Sequence, residues 1–516
     1  MPVHPFLFSF YILIVLYAEN ISEVSTRDLW RPLIILFLIT TLLLLLLRFL
    51  TGDWRRAGLV LSFLLLMFFS YGHVYNFLKE NLQLNDVAIG DVYLFRHPVL
   101  VIVWVVLICL GSFLLLRIRD LRQPTLFLNS VAILMLVFPA YNIALHMYRE
   151  HAYGSKTNVQ TASLHVPDGS PLPDVYFIVL DAYGRRDVLQ ETFKLDNSAF
   201  LEELQALGFY VVECSQSNYA RTRLSIASTL NMDYVQNLIP EDAPGELNTQ
   251  IKPYISDNNV RYELQEIGYK SVVFDNGFAW LNLKSTDFYL QKGEKSSIRL
   301  QLATTMTPFE EFFLRTTLFR SVIDLRLAGA TVSSAPSHRE TILYTLETLQ
   351  RIPMISGPKF VYAHLILPHP PFVFGPNGED IDLGHSGTEL NDNSFYVDEA
   401  MRDAYRDQTI YTNKLIIPVL RTLIEESSIP PIIVLESDHG PTGYGGAKNR
   451  MGNLMAYYFP QKDVSSLAYA TITPVNSFRL VFNTYFGGDY PLLEDVSYFS
   501  EQTLNQSYEI VPSSCP

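Results

Sequence analysis

The chain has 516 residues, 49% of them hydrophobic, and a formal net charge of −14. That is too long for one ordinary domain, and the acidic balance gives nucleic acid no electrostatic footing, which sets that class of partner aside. The averages also hide a division: the first 150 residues hold 11 of the 38 Lys and Arg and 9 of the 52 Asp and Glu, so the remainder is acidic by about 16 charges.

Five apolar runs open the chain, at about 5–18, 30–50, 57–78, 98–116 and 125–147. A helix needs about 20 apolar residues to cross about 30 Å of hydrocarbon. Runs two to five meet that length. The first is short, and a signal peptide is its rival reading. It lacks a basic start and a small-residue cleavage site, and Tyr17-Ala18-Glu19-Asn20 leads straight into a polar loop, so it is read as a span. Arg48, Arg55 and Arg56 flank one loop, and Arg117, Arg119 and Arg122 crowd another. The alternate loops carry Glu19, Glu23 and Asp28, and Glu80, Asp86 and Asp91. Arg-rich loops stay in the cytoplasm. Five spans then leave the N-terminus inside and everything after about residue 150 on the exoplasmic side, periplasmic or extracellular.

The expected organisation is a transmembrane domain over 1–150, a polar linker over 151–172, a soluble domain over 173–500 and an exposed tail over 501–516. In the soluble part strands and helices alternate. Strand patterns fall at 174–180, 209–213, 270–275, 359–367, 431–437 and 453–459. Helical patterns fall at 198–207, 222–231, 260–267, 308–327, 338–351 and 401–425. This alternation predicts an α/β/α sandwich around a mostly parallel central sheet. The stretch 285–340 is the least readable and reads as an insertion over the site. Three cysteines exclude a disulfide scaffold. Cys214 and Cys515 either pair, in an oxidising compartment, or remain thiols.

Ligands of such sheets bind at the carboxyl ends of strands. One strand ends at Asp181, one runs into Pro368-His369-Pro370-Pro371, and one into Asp438-His439-Gly440-Pro441. A single Asp here is more often a helix cap than a metal ligand. Two Asp and two His at neighbouring strand ends are a better match to a divalent cation such as zinc or manganese.

Val179-Leu180-Asp181-Ala182-Tyr183-Gly184, Ser217-Asn218-Tyr219-Ala220-Arg221-Thr222, Leu367-Pro368-His369-Pro370-Pro371-Phe372 and Ser437-Asp438-His439-Gly440 follow in that order. Together they resemble the sulfatase-like branch of the alkaline phosphatase superfamily. Within it the membrane-bound phosphotransferases, of the lipoteichoic acid synthase and phosphoethanolamine transferase type, are most similar. The resemblance implies an exoplasmic, metal-dependent phosphotransferase. It would take a phospho-headgroup, phosphoglycerol or phosphoethanolamine, from a membrane phospholipid donor and pass it to a cell-envelope glycan or lipid acceptor. It implies a divalent ion, manganese or zinc with magnesium or calcium as further candidates, on Asp181, Thr222, Asp438 and His439. Thr222 would be the nucleophile and His369 would face the phosphate or the leaving oxygen. Arg221, Arg223, Asn218 and His364 would bind substrate. Ser225 is the second candidate nucleophile, and a plain helix cap is the bland alternative for Thr222.

The pattern also departs from the family. No His follows His439, so a second substrate imidazole is missing or is replaced by His364 or His385. The Cys or Ser of a [C/S]-x-P-x-R motif is absent: Ser334-Ala335-Pro336-Ser337-His338 breaks at the Arg position. Sulfate-ester hydrolysis is therefore disfavoured. Two rival functions stand beside the transferase, a hydrolase using the same site and an inactive membrane protein that kept the fold for binding.

Overall fold

The computed structural model describes the chain apart from residues 22–23, 25, 79–87, 90–91, 94, 154–163, 167–171, 240–246, 277–282, 284–285, 293–306, 325–334, 382–398, 442–445, 501–507, 514 and 516. The expected linker falls largely outside the described residues, and so does His385.

The chain divides into two compact units, Met1–Tyr148 with Gln301–Ser334, and Arg149–Leu300 with Ala335–Pro516. The first is built on helices α1 (His4–Glu19), α2 (Arg27–Thr51), α3 (Trp54–Asn76), α4 (His97–Leu116) and α5 (Arg122–Tyr153). Helices α2 to α5 are long and apolar enough to cross a membrane, while α1, at 16 residues, is shorter. Much of their surface is apolar and exposed, including Phe37, Leu38, Ile102, Leu134 and Phe138. That is the reverse of a soluble helix and what lipid-facing side chains require.

Within 285–340, two short helices, α6 (Pro308–Arg315) and α7 (Phe319–Asp324), join this helical unit. Pro at the first turn and a reciprocal cap between Thr307 and Glu310 start α6. Glu310 also pairs with Arg31. Phe309 and Phe313 enter a core with Leu13, Leu61, Leu65 and Phe69. The chain between α6 and α7 bonds directly to the α3 backbone: the Gly72 amide donates to the Thr316 carbonyl (3.2 Å), and the Leu318 amide donates to the Phe68 carbonyl (2.8 Å). A Cβ on Gly72 would lie 2.4 Å from the Arg315 carbonyl oxygen, so only glycine admits this approach. Part of the stretch expected as an insertion thus packs within the helical unit, where the apolar faces of α6 and α7 match the membrane helices.

The second unit carries a seven-stranded sheet. In chain order its strands are β1 (Val175–Leu180), β2 (Tyr210–Val211), β3 (Lys270–Phe274), β4 (Phe288–Leu290), β5 (Lys359–Leu365), β6 (Ile432–Glu436) and β7 (Met455–Tyr458). The spatial order is β2-β7-β6-β1-β5-β3-β4. Strand β1 is parallel to both β5 and β6, β3 is parallel to β5 and β4, and β7 runs antiparallel to β6 and β2. All six residues of β1, Val-Tyr-Phe-Ile-Val-Leu, are buried. A central parallel strand is covered on both faces, which is why its sequence is continuously apolar. One face packs with Phe177, Tyr362, Phe478 and Phe482, the other with Tyr176, Ile178, Leu365 and Leu420. Strands β8 (Ser497–Phe499) and β9 (Glu509–Val511) form an antiparallel pair, and Cys515 is bonded to Cys214 with 5.1 Å between their Cα atoms.

Candidate metal centre

Parallel pairing places Val179 of β1 beside His364 of β5 and Glu436 of β6. The carboxyl ends of the three strands therefore emerge side by side, and the residues that follow meet. Asp181 leaves β1 through a turn in which Ala182 has φ +60°. A non-glycine residue in the left-handed region stores strain and has to be held. Tyr405, on the long helix Glu399–Glu426, does so: its hydroxyl donates to the Ala182 carbonyl (2.8 Å) and accepts from the Gly184 amide (3.1 Å). From the same helix, Gln408 donates to the carbonyls of Pro368 (3.2 Å) and His369 (3.1 Å). After β6, Ser437 accepts from the Tyr183 amide (2.7 Å) and donates to the His439 carbonyl (2.6 Å).

Thr222 opens the ten-residue helix Thr222–Asn231. The plain-cap alternative does not apply, because the capping position is Arg221 and no side-chain cap bond is made there. The Thr222 hydroxyl lies 3.0 Å from His439 Nε2. Nδ1 of His439 donates to the Gly440 carbonyl (2.9 Å), so Nε2 carries the lone pair that faces Thr222. The same Nε2 is 3.2 Å from Asp438 Oδ2 and 3.9 Å from Asp181 Oδ1. Asp438 and His439 are fully buried, and Asp181 and Thr222 nearly so.

The remaining carboxylate oxygens are anchored. Asp438 Oδ1 accepts from the Ala182 amide (3.1 Å), and Asp181 Oδ2 is 3.1 Å from His364 Nε2. Among the described residues, Asp181 Oδ1 and Asp438 Oδ2 have no hydrogen-bond partner although both are buried. Burial resists ionisation of Asp181, but His369, then His364 and His439, outweigh it and bring its carboxyl down to about 2. Two buried anionic oxygens without partners are costly unless a cation joins them. Ligands at about 2.0–2.1 Å around a tetrahedral ion stand about 3.3 Å apart, close to the spacings around His439 Nε2. Asp181, His364 and Asp438 also bring ligand atoms within 4.8 Å of one another. The residues present thus fit a divalent cation of the N/O-preferring kind.

The other sequence candidates sort as follows. His364 sits against Asp181, with its Nδ1 3.1 Å from the Tyr362 hydroxyl, so both ring nitrogens are engaged inside the protein. Asn218 is fully buried. Its amide donates to Thr473 Oγ1 and the Val496 carbonyl and accepts from the Val475 amide, so the side chain is spent on folding the loop before Thr222 and not on substrate. Arg221 and Arg223 flank Thr222 and are partly buried. His369 is buried, with Nδ1 donating to the Pro370 carbonyl (2.6 Å). Ser225 is buried one turn into the helix, and among the described residues no partner reaches its hydroxyl.

Sequence reasoning assigned no role at the centre to three residues. Arg450 ties the Thr222 loop to the Asp438 loop, donating to the carbonyls of Ala220 (2.7 Å) and Gly440 (3.3 Å). Glu436 lies buried beneath Asp438, and burial pushes its carboxyl up to about 8. His338 lies near Asp181 and His369, and burial lowers its imidazole to about 4. Only Glu436 left a signal, as an acid ending an apolar strand two residues before Asp438.

Fold and centre together define a protein with an apolar helical unit and an α/β unit whose strand ends assemble a buried Asp-Asp-His-Thr cluster. No protein-family model matches the chain, and no curated protein matches it. Among solved structures, the chain is similar to the C-terminal periplasmic domain of EptC from Escherichia coli in complex with zinc. Identity is 10% and the TM-score 0.42, covering 68% of this chain and 96% of that one. It is also similar to lipooligosaccharide phosphoethanolamine transferase A from Neisseria meningitidis, at 13% identity and TM-score 0.40 over 93% and 95% of the two chains. A third likeness is a 2-O GAG sulfatase, at 14% identity and TM-score 0.37 over 62% and 72%.

Proposed function

We propose that the chain is a membrane-bound, divalent-metal-dependent phosphotransferase acting on the exoplasmic side. One observation carries this reading: the Thr222 hydroxyl and the buried Asp181 and Asp438 oxygens that lack a hydrogen-bond partner among the described residues converge on His439 Nε2. A Thr hydroxyl is a poor nucleophile near neutral pH without help. A divalent cation held by Asp181, Asp438 and His439 would supply Lewis acidity, favouring the Thr222 alkoxide and polarising a phosphoryl oxygen. The chain's own residues do the rest. The helix behind Thr222 points backbone amides at incoming phosphate, Arg221 and Arg223 offset its charge, and His369 faces the leaving oxygen. Thr222 Oγ1 attacks the phosphorus of a phospholipid headgroup, the P–O bond to the lipid breaks, and the lipid alcohol departs carrying the proton that Thr222 gives up. A hydroxyl acceptor then takes the headgroup from Thr222.

The apolar helices keep the site near a lipid donor, and the Arg-rich loops favour an exoplasmic second unit. The Cys214–Cys515 bond suits an oxidising compartment. The test is a peptide mass map of full-length protein incubated with manganese or zinc and total membrane phospholipid. A phosphoglycerol or phosphoethanolamine increment on Thr222 is expected, and its mass names the headgroup. An adduct on Ser225 moves the nucleophile. Metal bound with no adduct on either residue, even in rapidly quenched samples, sinks the covalent route.

A further inference from the structure

Three loops meet at the candidate centre: the turn after Asp181, the approach to Thr222 and the Asp438-His439 turn. The segment Arg450–Leu454, which leads from the helix Gly446–Met451 into β7, bonds to all three. On the Asp181 side, the Arg185 amide donates to the Gly452 carbonyl (3.0 Å) and the Leu454 amide to the Tyr183 carbonyl (3.0 Å). On the Thr222 side, the Ser217 amide donates to the Met451 carbonyl (2.8 Å). On the Asp438 side, the Gly440 amide donates to the Arg450 carbonyl (2.8 Å) and the Ser437 amide to the Leu454 carbonyl (2.7 Å). Asn453 joins two of the loops through its side chain, donating to the Ser437 carbonyl (2.5 Å) and accepting from the Ser215 hydroxyl (2.7 Å).

These bonds fix each loop to the segment. The Arg450 side chain acts more directly, on the two loops that carry the Thr222–His439 contact. It is buried. Its Nε donates to the carbonyl of Ala220, two residues before Thr222 (2.7 Å), and its Nη1 to the carbonyl of Gly440, next to His439 (3.3 Å). The same Gly440 carbonyl accepts from His439 Nδ1 (2.9 Å). One planar cation thus holds the backbone on both sides of the 3.0 Å contact between Thr222 Oγ1 and His439 Nε2. Bonds donated by a charged group are roughly twice as strong as neutral ones, and the rigid guanidinium fixes the angle between them.

We infer that Arg450 is a positioning residue for the first displacement: it keeps the Thr222 hydroxyl in register with the Asp438-His439 turn, and attack depends on it while metal binding does not. The inference rests on the phospho-Thr222 reading above. The separation follows from the bonds each group makes. Asp181 and Asp438 keep their own anchors without Arg450: Tyr405 holds the turn after Asp181, the Ala182 amide holds Asp438 Oδ1, and Ser437 holds the His439 carbonyl. The Thr222 loop loses a bond two residues from its hydroxyl, on the side that faces His439.

Full-length Arg450→Ala in detergent tests this beside wild type, with total membrane phospholipid and zinc or manganese supplied. Bound metal is read after dialysis by elemental mass spectrometry, and the rate of Thr222 adduct formation by quenched mass maps across a range of phospholipid concentrations. The expected result is wild-type metal content and an unchanged half-saturating phospholipid concentration, with the saturated rate lowered by about 10²-fold, the worth of a misplacement of about 1 Å. Methylguanidinium, added to fill the space left, is expected to restore part of that rate. A saturated rate within about threefold of wild type overturns the role. Metal lost in step with the rate makes Arg450 a support of the whole centre and overturns it too, as does a change confined to half-saturation, which assigns Arg450 to substrate binding. If Arg450→Ala does not fold, Arg450→Lys, which keeps the charge without the planar fork, is judged by the same metal, rate and half-saturation criteria. Absence of adduct in the wild type overturns the parent reading and this one with it, whereas wild-type adduct that is indifferent to Arg450 overturns this one alone.

Discussion

Gly440 follows the Asp438-His439 pair, and its replacement by alanine is the sharpest test of the geometry. A Cβ there would stand 2.0 Å from the Asn449 carbonyl oxygen and 2.6 Å from that of Gly452. Ordinary contact begins near 3.4 Å, so the backbone has to move by about 1 Å, and a rigid core resists such movement at a cost of about 1–3 kcal/mol. The shift falls on a loop whose own amide is tied to the Arg450 carbonyl (2.8 Å). Relaxation therefore carries Asp438 and His439 with it. A misplacement of about 1 Å can cost about 10²-fold in rate. Gly440→Ala is expected to lose at least that factor in Thr222 adduct formation and to retain less zinc or manganese after dialysis, read by elemental mass spectrometry. Gly268→Ala is the control: Gly268 has φ +93° with nothing within 4 Å, so alanine strains the backbone far from the centre. It should lower Tm yet keep metal and activity. Wild-type metal content and adduct rate in Gly440→Ala would refute the reasoning.

Three further outcomes are expected. Glu436 is held neutral in the fold, its carboxyl raised from 4.5 to about 8 by burial. The native state thus binds more protons than the unfolded one between those values, and stability falls as pH rises through that window. Glu436→Gln should match wild type in Tm near pH 5 and exceed it near pH 8.5, by stability on the order of a few kcal/mol; equal Tm at both pH values counts against it. Cys515→Ser opens a bridge spanning 301 residues of sequence, for which chain entropy sets an upper bound of about 6 kcal/mol. A clear drop in Tm, reproduced in wild type by reductant, is expected, and an unchanged Tm after verified reduction argues otherwise. Gly72→Ala should displace the chain between α6 and α7 and expose it to limited proteolysis in detergent, whereas an unchanged cleavage pattern contradicts the close approach.

The legible parts of the sequence were those where one force dominates. Continuous burial made β1, β5 and β6 plain as apolar runs, and their parallel pairing made the residues at their ends candidates for one site. Asp181, Thr222, Asp438 and His439 do come together. Asn218 departs from its expected role because motif position says nothing about which way an amide turns, and here two segments, at 473–475 and at Val496, take its three side-chain hydrogen bonds. His338 was illegible because its approach to Asp181 depends on how a distant helix packs. β4 was missed because three half-buried residues, Phe288 to Leu290, are too few to show a period. The helices α6 and α7 hid inside an apparently soluble stretch because each is too short to register as membrane-directed.

The placement of α6 and α7 has a practical corollary. The polypeptide leaves the α/β unit after Leu300 and re-enters it at Ala335. A fragment cut at the end of α5 would thus carry the pair away from its partners, with Phe309, Phe313, Leu314 and Leu318 bare to water. An exposed apolar patch of that kind drives self-association. Soluble production of the α/β unit calls for removing the excursion as well as the N-terminal helices, with a short polar bridge joining its two ends.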